Sequence, residues 1–438
     1  MRRGLWFFLL ISLTSTEWCA AEVSRAVVDA WIGMKVLADP PLPGTVINHA
    51  DVDALAPWIP PGLLDEFRFP ELRVEIQAPG DYRTHHSYET ATEQFHGQAT
   101  IGDDGSLTNY TAGQPFSNEQ IAATTPDQAG LMVAWNQIHR WQYTGYKVEA
   151  VTMSYLVPGS SAVPLDEAHG LDGGGNLQRR LVEYYHRVYL SKLAWLNNQD
   201  YRFDVPDSDS RFFKDFISFL EPFDVKGTSF VVERYLDPHA DDQVNIYSPT
   251  ERRVRRFSAR ERADSFMGSE ATMDDFDGFS GRVLDYQWTY LGRRALLYVA
   301  DTQQEVVRGF GPHSRLPDDR WEVRDCHVVE IKSVLEDHPY GARVLFVDAQ
   351  TWNGALSLII DHDAKLWKTM QILYRAPAPQ TADSPPETSV QSWRGQFMID
   401  RMTQNSTIVQ ARSDTEHPHM KPSQIKRLFS VSSLTSGR

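Results

Sequence analysis

Two short clusters combine the residue types that bind metal ions. Residues 361–363 are Asp-His-Asp, and residues 239–242 are His-Ala-Asp-Asp. Carboxylates and imidazoles are common ligands of divalent metals. Both clusters also stand between predicted strands, where aspartate is frequent because its side chain accepts hydrogen bonds from the turn backbone. Turn formation is the favoured interpretation, so the sequence predicts neither a metal site nor any other cofactor.

The candidates for a nucleophile lack the neighbours that would activate them. Ser280 lies in Gly-Phe-Ser-Gly, which is not the Gly-x-Ser-x-Gly turn of the α/β-hydrolases. Cys326 precedes His327 on a predicted strand, and neighbouring side chains of a strand point to opposite faces. His327 therefore cannot activate the Cys326 thiol. The sequence predicts no catalytic residues and no enzymatic activity.

Arginines are concentrated in one part of an acidic chain: six fall between residues 252 and 262, while the formal net charge is −15. Seven acidic residues lie between Glu251 and Asp277, so the segment as a whole is close to neutral. Arginine pairs well with carboxylates, which favours a structural clamp, with a partner's docking site or an anionic ligand as alternatives. The predicted clamp consists of Arg252, Arg253, Arg255, Arg256, Asp274, Asp275 and Asp277.

Aromatic and aliphatic side chains alternate along several predicted strands and so share strand faces. One interpretation is an ordinary core beneath helices. The other is an apolar cavity for an acyl chain or a similar small hydrophobic molecule, because ligand cavities are lined mainly by apolar and aromatic side chains. The candidate cavity residues are Trp135, Phe230, Val232, Tyr286, Trp288, Tyr290, Val344 and Phe346.

The start of the chain has the order of features typical of a secretory signal peptide. Arg2 and Arg3 precede an apolar run from Leu5 to Leu13, and small residues end the segment. We therefore predict a signal peptide over residues 1–21 and export of the rest. The exported chain would keep one cysteine and form no internal disulfide. Its negative charge argues against binding to nucleic acid.

The rest of the sequence divides into four regions. Residues 22–120 are rich in Pro, Gly and polar residues, which predicts an extended region of short strands and turns. Residues 121–225 are predicted to form a helical lid, with one helix from Pro126 and another in residues 209–222. Residues 179–196 fit a strand and a helix equally well. Residues 226–412 have a hydrophobic period of two, which predicts an antiparallel meander, and residues 413–438 form a polar tail.

These regions predict an α+β fold: a large, curved antiparallel β-sheet with helices covering its concave face. Long strands rich in aromatic residues suit such a curved sheet, and its concave face can be filled or can hold a ligand.

Five segments of the chain resemble, in the same order, a family of exported bacterial proteins known as DUF1329. They read NYTAGQPF with DQAGLMVAWNQIHR, PFDVKGTSFVVERYLD, DDQVNIYSPTERRVRRFS, MDDFDGF, and WEVRDCHVVEIK with RVLFVDAQTW. The resemblance implies an architecture similar to the LolA/LolB-like periplasmic lipoprotein carriers, an unclosed half-barrel around a hydrophobic cavity. It also implies a periplasmic location, association with the outer membrane, and work beside RND-type exporters and outer-membrane proteins. It implies no catalytic residue.

Two functional hypotheses follow. The first is a periplasmic carrier for a hydrophobic, lipid-like or acylated molecule, which the aromatic strands and the resemblance favour. The second is a scaffold or accessory subunit of an RND-type envelope export complex, with a filled core and no ligand. The arginine-rich segment and the long connectors of residues 22–120 favour the second.

Overall fold

The structure is a computed structural model that describes residues 22–159, 170–196, 200–257, 260–381 and 383–436. The predicted signal peptide, residues 1–21, lies outside these ranges. The described ranges contain six α-helices. They are α1 (Arg25–Gly33), α2 (His86–Gln94), α3 (Asn118–Ala122), α4 (Pro126–Ile138), α5 (Pro422–Leu428) and α6 (Ser433–Ser436).

The strands fall into three groups along the chain. The N-terminal strands are β1 (Val46–Asn48), β2 (Arg73–Ile76), β3 (Thr100–Ile101) and β4 (Leu107–Thr108). The next group is β5 (Gly145–Val157), β6 (Asn176–Tyr189), β7 (Arg211–Glu221), β8 (Ser229–Tyr235), β9 (Gln243–Ser248) and β10 (Arg253–Phe257). The last group is β11 (Tyr286–Tyr298), β12 (Gly309–Phe310), β13 (Leu316–Pro317), β14 (Arg320–Ser333), β15 (Ala342–Asp348), β16 (Gly354–Ile360), β17 (Leu366–Arg375), β18 (Ser392–Asp400), β19 (Ser406–Ala411) and β20 (Thr415–Glu416).

One sheet of sixteen strands contains two antiparallel meanders that lie side by side. The first runs from β5 to β10, and the second from β14 to β19, with β11 paired to the free side of β14. The meanders join where β19 pairs with β5, which places Ile408 opposite Ser154. Among the described strands, β1 and β10 stand at the two ends of the order and do not pair with each other, so the sheet is unclosed. The predicted antiparallel sheet is confirmed, but its first meander begins at Gly145 and not at residue 226.

The prediction of a helix in residues 209–222 is wrong, because this segment contains β7. Phe216 of β7 contacts Tyr184 on one face of the sheet, whereas Ile217 belongs to the apolar cluster on the other face. A strand covered on both faces is apolar at nearly every position, so its period of two is hidden. The undecided residues 179–196 form most of β6. The predicted helical lid, residues 121–225, therefore contains three strands and one long helix, α4.

Helix α4 confirms the helix predicted from Pro126. Proline is favourable at the first helical position, because the N–H group that it lacks has no partner there in any helix. The helix packs on β11 with a close approach at Gly130. A Cβ atom at Gly130 would lie 2.9 Å from backbone atoms of both Trp288 and Thr289. Glycine at this position therefore lets the helix backbone contact the strand backbone.

Both ends of the chain cover the face of the sheet opposite to α4, here called the outer face. Trp31 of α1 contacts Phe346 of β15, with 6.1 Å between ring centroids. Phe429, next to α5, contacts His186 of β6, with 5.3 Å between ring centroids. Ile425 is buried in the same cluster. The predicted polar tail, residues 413–438, thus includes a few apolar side chains that dock on the sheet, within its described part, residues 413–436.

Candidate ligand cavity

Residues 260–285, here called the crossing segment, lead from the β10 edge of the sheet to β11 at the other end. The segment lies on the inner face, the face that also carries α4. It consists of short 3-10 turns, at Arg260–Ala263, Phe266–Gly268, Met273–Gly278 and Val283–Asp285. These turns contact strands from both meanders, so the crossing segment spans the junction between them.

Phe276 of the crossing segment shows that the inner face is concave. Its ring lies 5.2 Å from the ring of Tyr185 in β6 and 5.5 Å from the ring of Trp393 in β18, measured between centroids. Strands β19 and β5 separate β18 from β6. With strands about 4.8 Å apart, β18 and β6 would lie roughly 14 Å apart in a flat sheet. One phenylalanine reaches both because the sheet curves around it.

Three aspartates attach the crossing segment to the rest of the molecule. Each pairs with a different arginine, and the carboxylates are all buried. Arg343–Asp275 and Arg140–Asp277 join the segment to other parts of the chain, whereas Arg262–Asp274 is a pair within the segment. A tyrosine hydroxyl from outside the segment donates to each carboxylate: Tyr286 to Asp274 at 2.7 Å, Tyr340 to Asp275 at 2.8 Å, and Tyr374 to Asp277. Charged groups that are paired and hydrogen-bonded tolerate burial, so these three points fix the segment firmly.

The predicted clamp is therefore wrong in its choice of arginines. Arg252, Arg253, Arg255 and Arg256 lie in or beside edge strand β10, where their side chains are exposed. Arg253 pairs with its neighbour Glu251 at 2.8 Å, not with the aspartates. The acidic residues do pair with arginines, but these are Arg343 of β15, Arg140 just after α4, and Arg262 at the end of the same arginine run. Proximity in sequence favoured the wrong partners.

An apolar cavity lies between the crossing segment and the inner face of the first meander and its junction with the second. The space between its lining atoms, including the opening, is about 820 Å³. Side chains of four strands form its apolar wall: Val148, Val151, Met153, Ile217, Val232 and Val409. Phe276, Met273 and Phe266 of the crossing segment cover it.

Two arginines line the cavity, and carboxylates neutralise both. Arg187 donates two hydrogen bonds of 2.7 Å to the two carboxylate oxygens of Asp215. The guanidinium of Arg187 also stacks on the ring of Phe213, 4.0 Å from its centroid. Arg262 contacts Asp274 at 2.6 Å, and the side chain of Arg262 is buried. The cavity therefore contains charged residues, but its arginines are already paired.

Glu183 of β6 is the unusual residue of the cavity. It is 7% exposed, and its Oε2 atom has no hydrogen-bond partner in the described part of the chain. Burial in these apolar surroundings raises the pKa of the Glu183 carboxyl to about 8, because water no longer stabilises the charge. Gln396 and Trp393 of β18 also line the cavity, and each has one buried polar atom without a partner, Oε1 and Nε1 respectively.

Sequence reasoning missed Glu183, although a signal was present. A period of two places Leu181, Glu183 and Tyr185 on one face of β6, so a carboxyl stands between two apolar side chains. This alternation has meaning only if the segment is a strand. Because residues 179–196 fit a helix equally well, the sequence did not single out Glu183. A buried carboxyl with a raised pKa is a common mark of a functional site.

The predicted cavity residues are divided among several places. Val232 lines the cavity, and Phe230 on the same strand face contacts Phe266, with 6.1 Å between ring centroids. Val344 and Phe346 lie on the outer face, fully buried against the N-terminal region. The prediction is wrong for these last two, because the sequence showed that they share a face but not which face.

The other four candidates lie near α4. Trp288 contacts Phe279, with 4.9 Å between ring centroids, in the core beneath the helix. The hydroxyl of Tyr286 donates to Asp274, as described above, and Tyr290 lies 3.1 Å from Nδ1 of His327. Trp135 of α4 lines a second, more polar cavity with an empty volume of about 830 Å³, together with Arg282 and Asp242. The eight candidates thus do not form one site.

The remaining polar clusters have structural roles. Oδ1 of Asp361 accepts hydrogen bonds from the backbone N–H groups of Asp363 and Lys365, at 2.9 and 2.8 Å, which confirms the turn interpretation. Asp242 pairs with Arg234 at 2.7 Å. Among the described residues, no group of three or more His, Cys, Asp or Glu side chains is placed to hold a metal ion.

Cys326 and His327 lie on opposite faces of β14, as the alternation predicted. Cys326 is buried in the outer cluster, where burial raises the pKa of its thiol. His327 faces the other side and lies 2.7 Å from Oδ1 of Asn118. Within the described ranges, no helix is long and apolar enough to cross a membrane.

Comparison with known proteins identifies the family. The family model described as "Protein of unknown function (DUF1329)" matches residues 46–435. "Uncharacterized protein PA3922" of Pseudomonas aeruginosa is 24% identical over 349 residues, which cover 74% of this chain and 68% of that protein.

Two solved structures are also similar. A DUF1329 family protein from Desulfovibrio piger is 18% identical, over 71% of this chain and 100% of that one, with a TM-score of 0.47. A putative outer membrane lipoprotein-sorting protein domain from Vibrio parahaemolyticus is 18% identical, over 70% of this chain and 99% of that one, with a TM-score of 0.45. Because the family model covers most of the sequence, the chain belongs to the DUF1329 family.

Proposed function

We propose that the protein is a periplasmic carrier that binds a hydrophobic molecule in the inner cavity. The apolar wall contributed by β5, β7, β8 and β19 is the observation that carries this proposal. The space beneath the crossing segment is bordered mainly by aliphatic and aromatic side chains, which is the lining typical of small-molecule sites. An acyl chain or a molecule of similar width is the kind of ligand that fits.

The binding free energy would come from removing the ligand's apolar surface from water, at about 25 cal/mol per Å². The charged residues of the cavity do not oppose this, because Arg187 is neutralised by Asp215 and Arg262 by Asp274. The ligand would therefore meet an apolar surface between paired charges.

The crossing segment is the proposed cover of the cavity. Residues 274–277 are fixed by three buried ion pairs, and these would stay closed. The turn Phe266–Gly268 is attached by apolar contacts and by a hydrogen bond of 3.1 Å from the Tyr155 hydroxyl to the carbonyl of Met267. Separation of this turn from the sheet would open the cavity without breaking the three pairs, which makes it the proposed entrance.

The location and the partners belong to the same proposal. Export by the signal peptide would deliver the carrier to the periplasm, with association at the outer membrane. An RND-type exporter and an outer-membrane protein would supply or receive the hydrophobic molecule. The formal net charge of −15 supports a partner other than nucleic acid.

Mass spectrometry of the purified protein tests the proposal. Protein isolated from its own envelope should release a hydrophobic molecule, in a ratio near one per chain, when it is extracted with organic solvent. The variant Val232→Phe, which fills the cavity, should release much less. Val231→Phe is the matched control, because Val231 is the next residue of β8 and is also buried, but in the cluster of the outer face.

Two outcomes would contradict a carrier function. One is wild-type protein that is free of any extractable hydrophobic molecule and also binds no added fatty acid, phospholipid or acylated peptide. The other is equal loading of the two folded valine variants, which would place the molecule outside the cavity.

The second candidate function is a scaffold or accessory subunit of an envelope export complex. The exposed arginines of edge strand β10 favour it, because an edge strand has free backbone groups and these side chains would attract an acidic partner. The double variant Arg253→Glu/Arg255→Glu should then lose co-purification with a membrane transporter while remaining folded. Reversal of Lys426 and Arg427 in α5 is the control. An intact complex with the β10 variant would exclude this docking site.

A further inference from the structure

The cavity contains polar atoms that the protein itself does not satisfy. Five residues that line it have a buried polar atom without a hydrogen-bond partner within the described part of the chain. Two of these atoms are the hydroxyls of Tyr185 and Thr272, which can either donate or accept; the others are Glu183 Oε2, Gln396 Oε1 and Trp393 Nε1. The side chains of these last three are 7%, 4% and 4% exposed. Buried polar atoms are nearly always paired, because an unpaired one has lost its hydrogen bonds to water. Such a group in one cavity therefore indicates a polar group of the bound molecule.

The strand register places these atoms around the apolar wall. Gln396 of β18 pairs with Val409 of β19, which pairs with Met153 of β5, which pairs with Leu181 of β6. Glu183 follows Leu181 by two residues on the same face. The curved sheet thus presents Glu183 and Gln396 from opposite sides of the surface formed by Val409 and Met153. The ring of Trp393 contacts Phe276, which covers the cavity.

The chemistry of the three atoms restricts the polar group that fits. Gln396 Oε1 only accepts a hydrogen bond and Trp393 Nε1 only donates one, whereas a carboxyl such as Glu183 accepts and, when protonated, also donates. A hydroxyl group both donates and accepts, so it can pair with any of them. An ionised carboxylate would lack a free cation here, because Arg187 and Arg262 are already committed to Asp215 and Asp274.

We propose that the cavity selects an uncharged lipid whose apolar chain carries a hydroxyl group, with Glu183 as the residue that determines this specificity. The proposal rests on the carrier function and narrows the class of its cargo. Fatty acids would be rejected, since their carboxylate would be buried beside Glu183 without a counter-ion.

Binding of 1-decanol and of decanoate to the purified exported chain tests the proposal, followed by isothermal titration and by the change in tryptophan fluorescence. The two probes have equal chain length, so they bury similar apolar surface and differ mainly in the polar end. We expect 1-decanol to bind at least tenfold more tightly, which corresponds to about one well-formed hydrogen bond.

Variants assign the preference to Glu183. Glu183→Leu should weaken 1-decanol about tenfold and leave decanoate unchanged or tighter. Glu183→Gln keeps an acceptor and a donor, so the alcohol preference should persist. Val232→Ala, a change in the apolar wall alone, should weaken both probes by the same factor. If Glu183→Leu does not fold, Glu183→Met, which also removes both carboxyl oxygens but keeps the length of the side chain, replaces it in the same comparison.

The outcomes separate this proposal from the carrier function. Equal or tighter binding of decanoate by wild-type protein would overturn the hydroxyl specificity and keep the carrier. An unchanged alcohol preference in folded Glu183→Leu would overturn the role of Glu183. Failure of both probes to bind, with Val232→Phe giving the same result as wild type, would overturn the two proposals together.

Discussion

The two halves of the inner face are covered in different ways, and only one of them contains the apolar cavity. Helix α4 covers the half around β11, β14 and β15, where Ala129, Val133 and Ala134 pack closely against the strands. The crossing segment covers the half around β5 to β8. It touches the sheet with a few large side chains, such as Phe266 and Phe276, and leaves the space between them open.

The difference follows from how each cover is attached. Small side chains and Gly130 bring the α4 backbone against β11, so dispersion contacts are made along the whole helix. The crossing segment is attached mainly at its three buried aspartates, by ion pairs and tyrosine hydroxyls, which fix its position without filling the volume beneath. A sheet can therefore be closely packed beneath one cover and leave an apolar cavity beneath the other, depending on whether the cover is held by packing or by charges.

The largest loss of stability is expected from removing one charged attachment point of the crossing segment. Asp275→Ala leaves Arg343 buried without its partner, and breaking a buried pair costs about 3–5 kcal/mol. Urea denaturation should show this loss of unfolding free energy. Asp264→Ala, in an exposed part of the same segment, is the control and should change stability little. A loss below about 1 kcal/mol would mean that packing, not charge, holds the crossing segment.

The packed half is tested by Gly130→Val. The new side chain would collide with the backbone of β11 and push α4 away, at a cost of about 3 kcal/mol. Gly33→Ala is the control, since no atom lies within 4 Å of the Cβ that would be added there. Thermal denaturation compares the two. If Gly130→Val were as stable as wild type, the helix would not pack on the strand as closely as described.

The open half is tested by its pH dependence. The pKa of Glu183 is about 8 in the folded protein against an ordinary value of 4.5, so the folded state keeps a proton that the unfolded state loses. The contribution of Glu183 to stability therefore falls as pH rises from about 4.5 to 8, and stays constant outside that window. Glu183→Gln should remove most of this fall, about 3–4 kcal/mol between pH 5 and pH 8. Unfolding curves at pH 5 and pH 8 measure this difference in unfolding free energy. An equal change in the variant and the wild type would contradict the burial of Glu183 away from water.

The smallest effect is expected at edge strand β10. The double variant Arg253→Glu/Arg255→Glu should change the free energy of unfolding by less than about 0.5 kcal/mol, because these side chains are exposed and surface pairs contribute little. Circular dichroism during heating checks this. A large loss would show that the arginine run supports the fold after all, as the sequence first indicated.

The sequence predicted the sheet well where strands alternate or carry aromatic stripes, as in β8, β9, β14 and β15. It failed at β7, because coverage of both faces by other parts of the chain hides the period of two. It failed at the ion pairs because Asp275 and Arg343 are 68 residues apart, and nothing local selects one arginine over another. Val344 and Phe346 were assigned to the wrong side because alternation gives two faces but does not say which one the helix covers.

The pairing of β19 with β5 has a consequence for folding. It joins residues more than 250 positions apart, such as Ser154 and Ile408, and β20 continues the same side of β5 at Lys147 and Val148. Until residues 406–416 are available, β5 remains an edge with free backbone groups, of the kind that pairs with other chains. Because closure of so long a loop precedes the pairing, folding should be slow. A chain truncated before β19 would therefore aggregate, whatever the stability of its first meander.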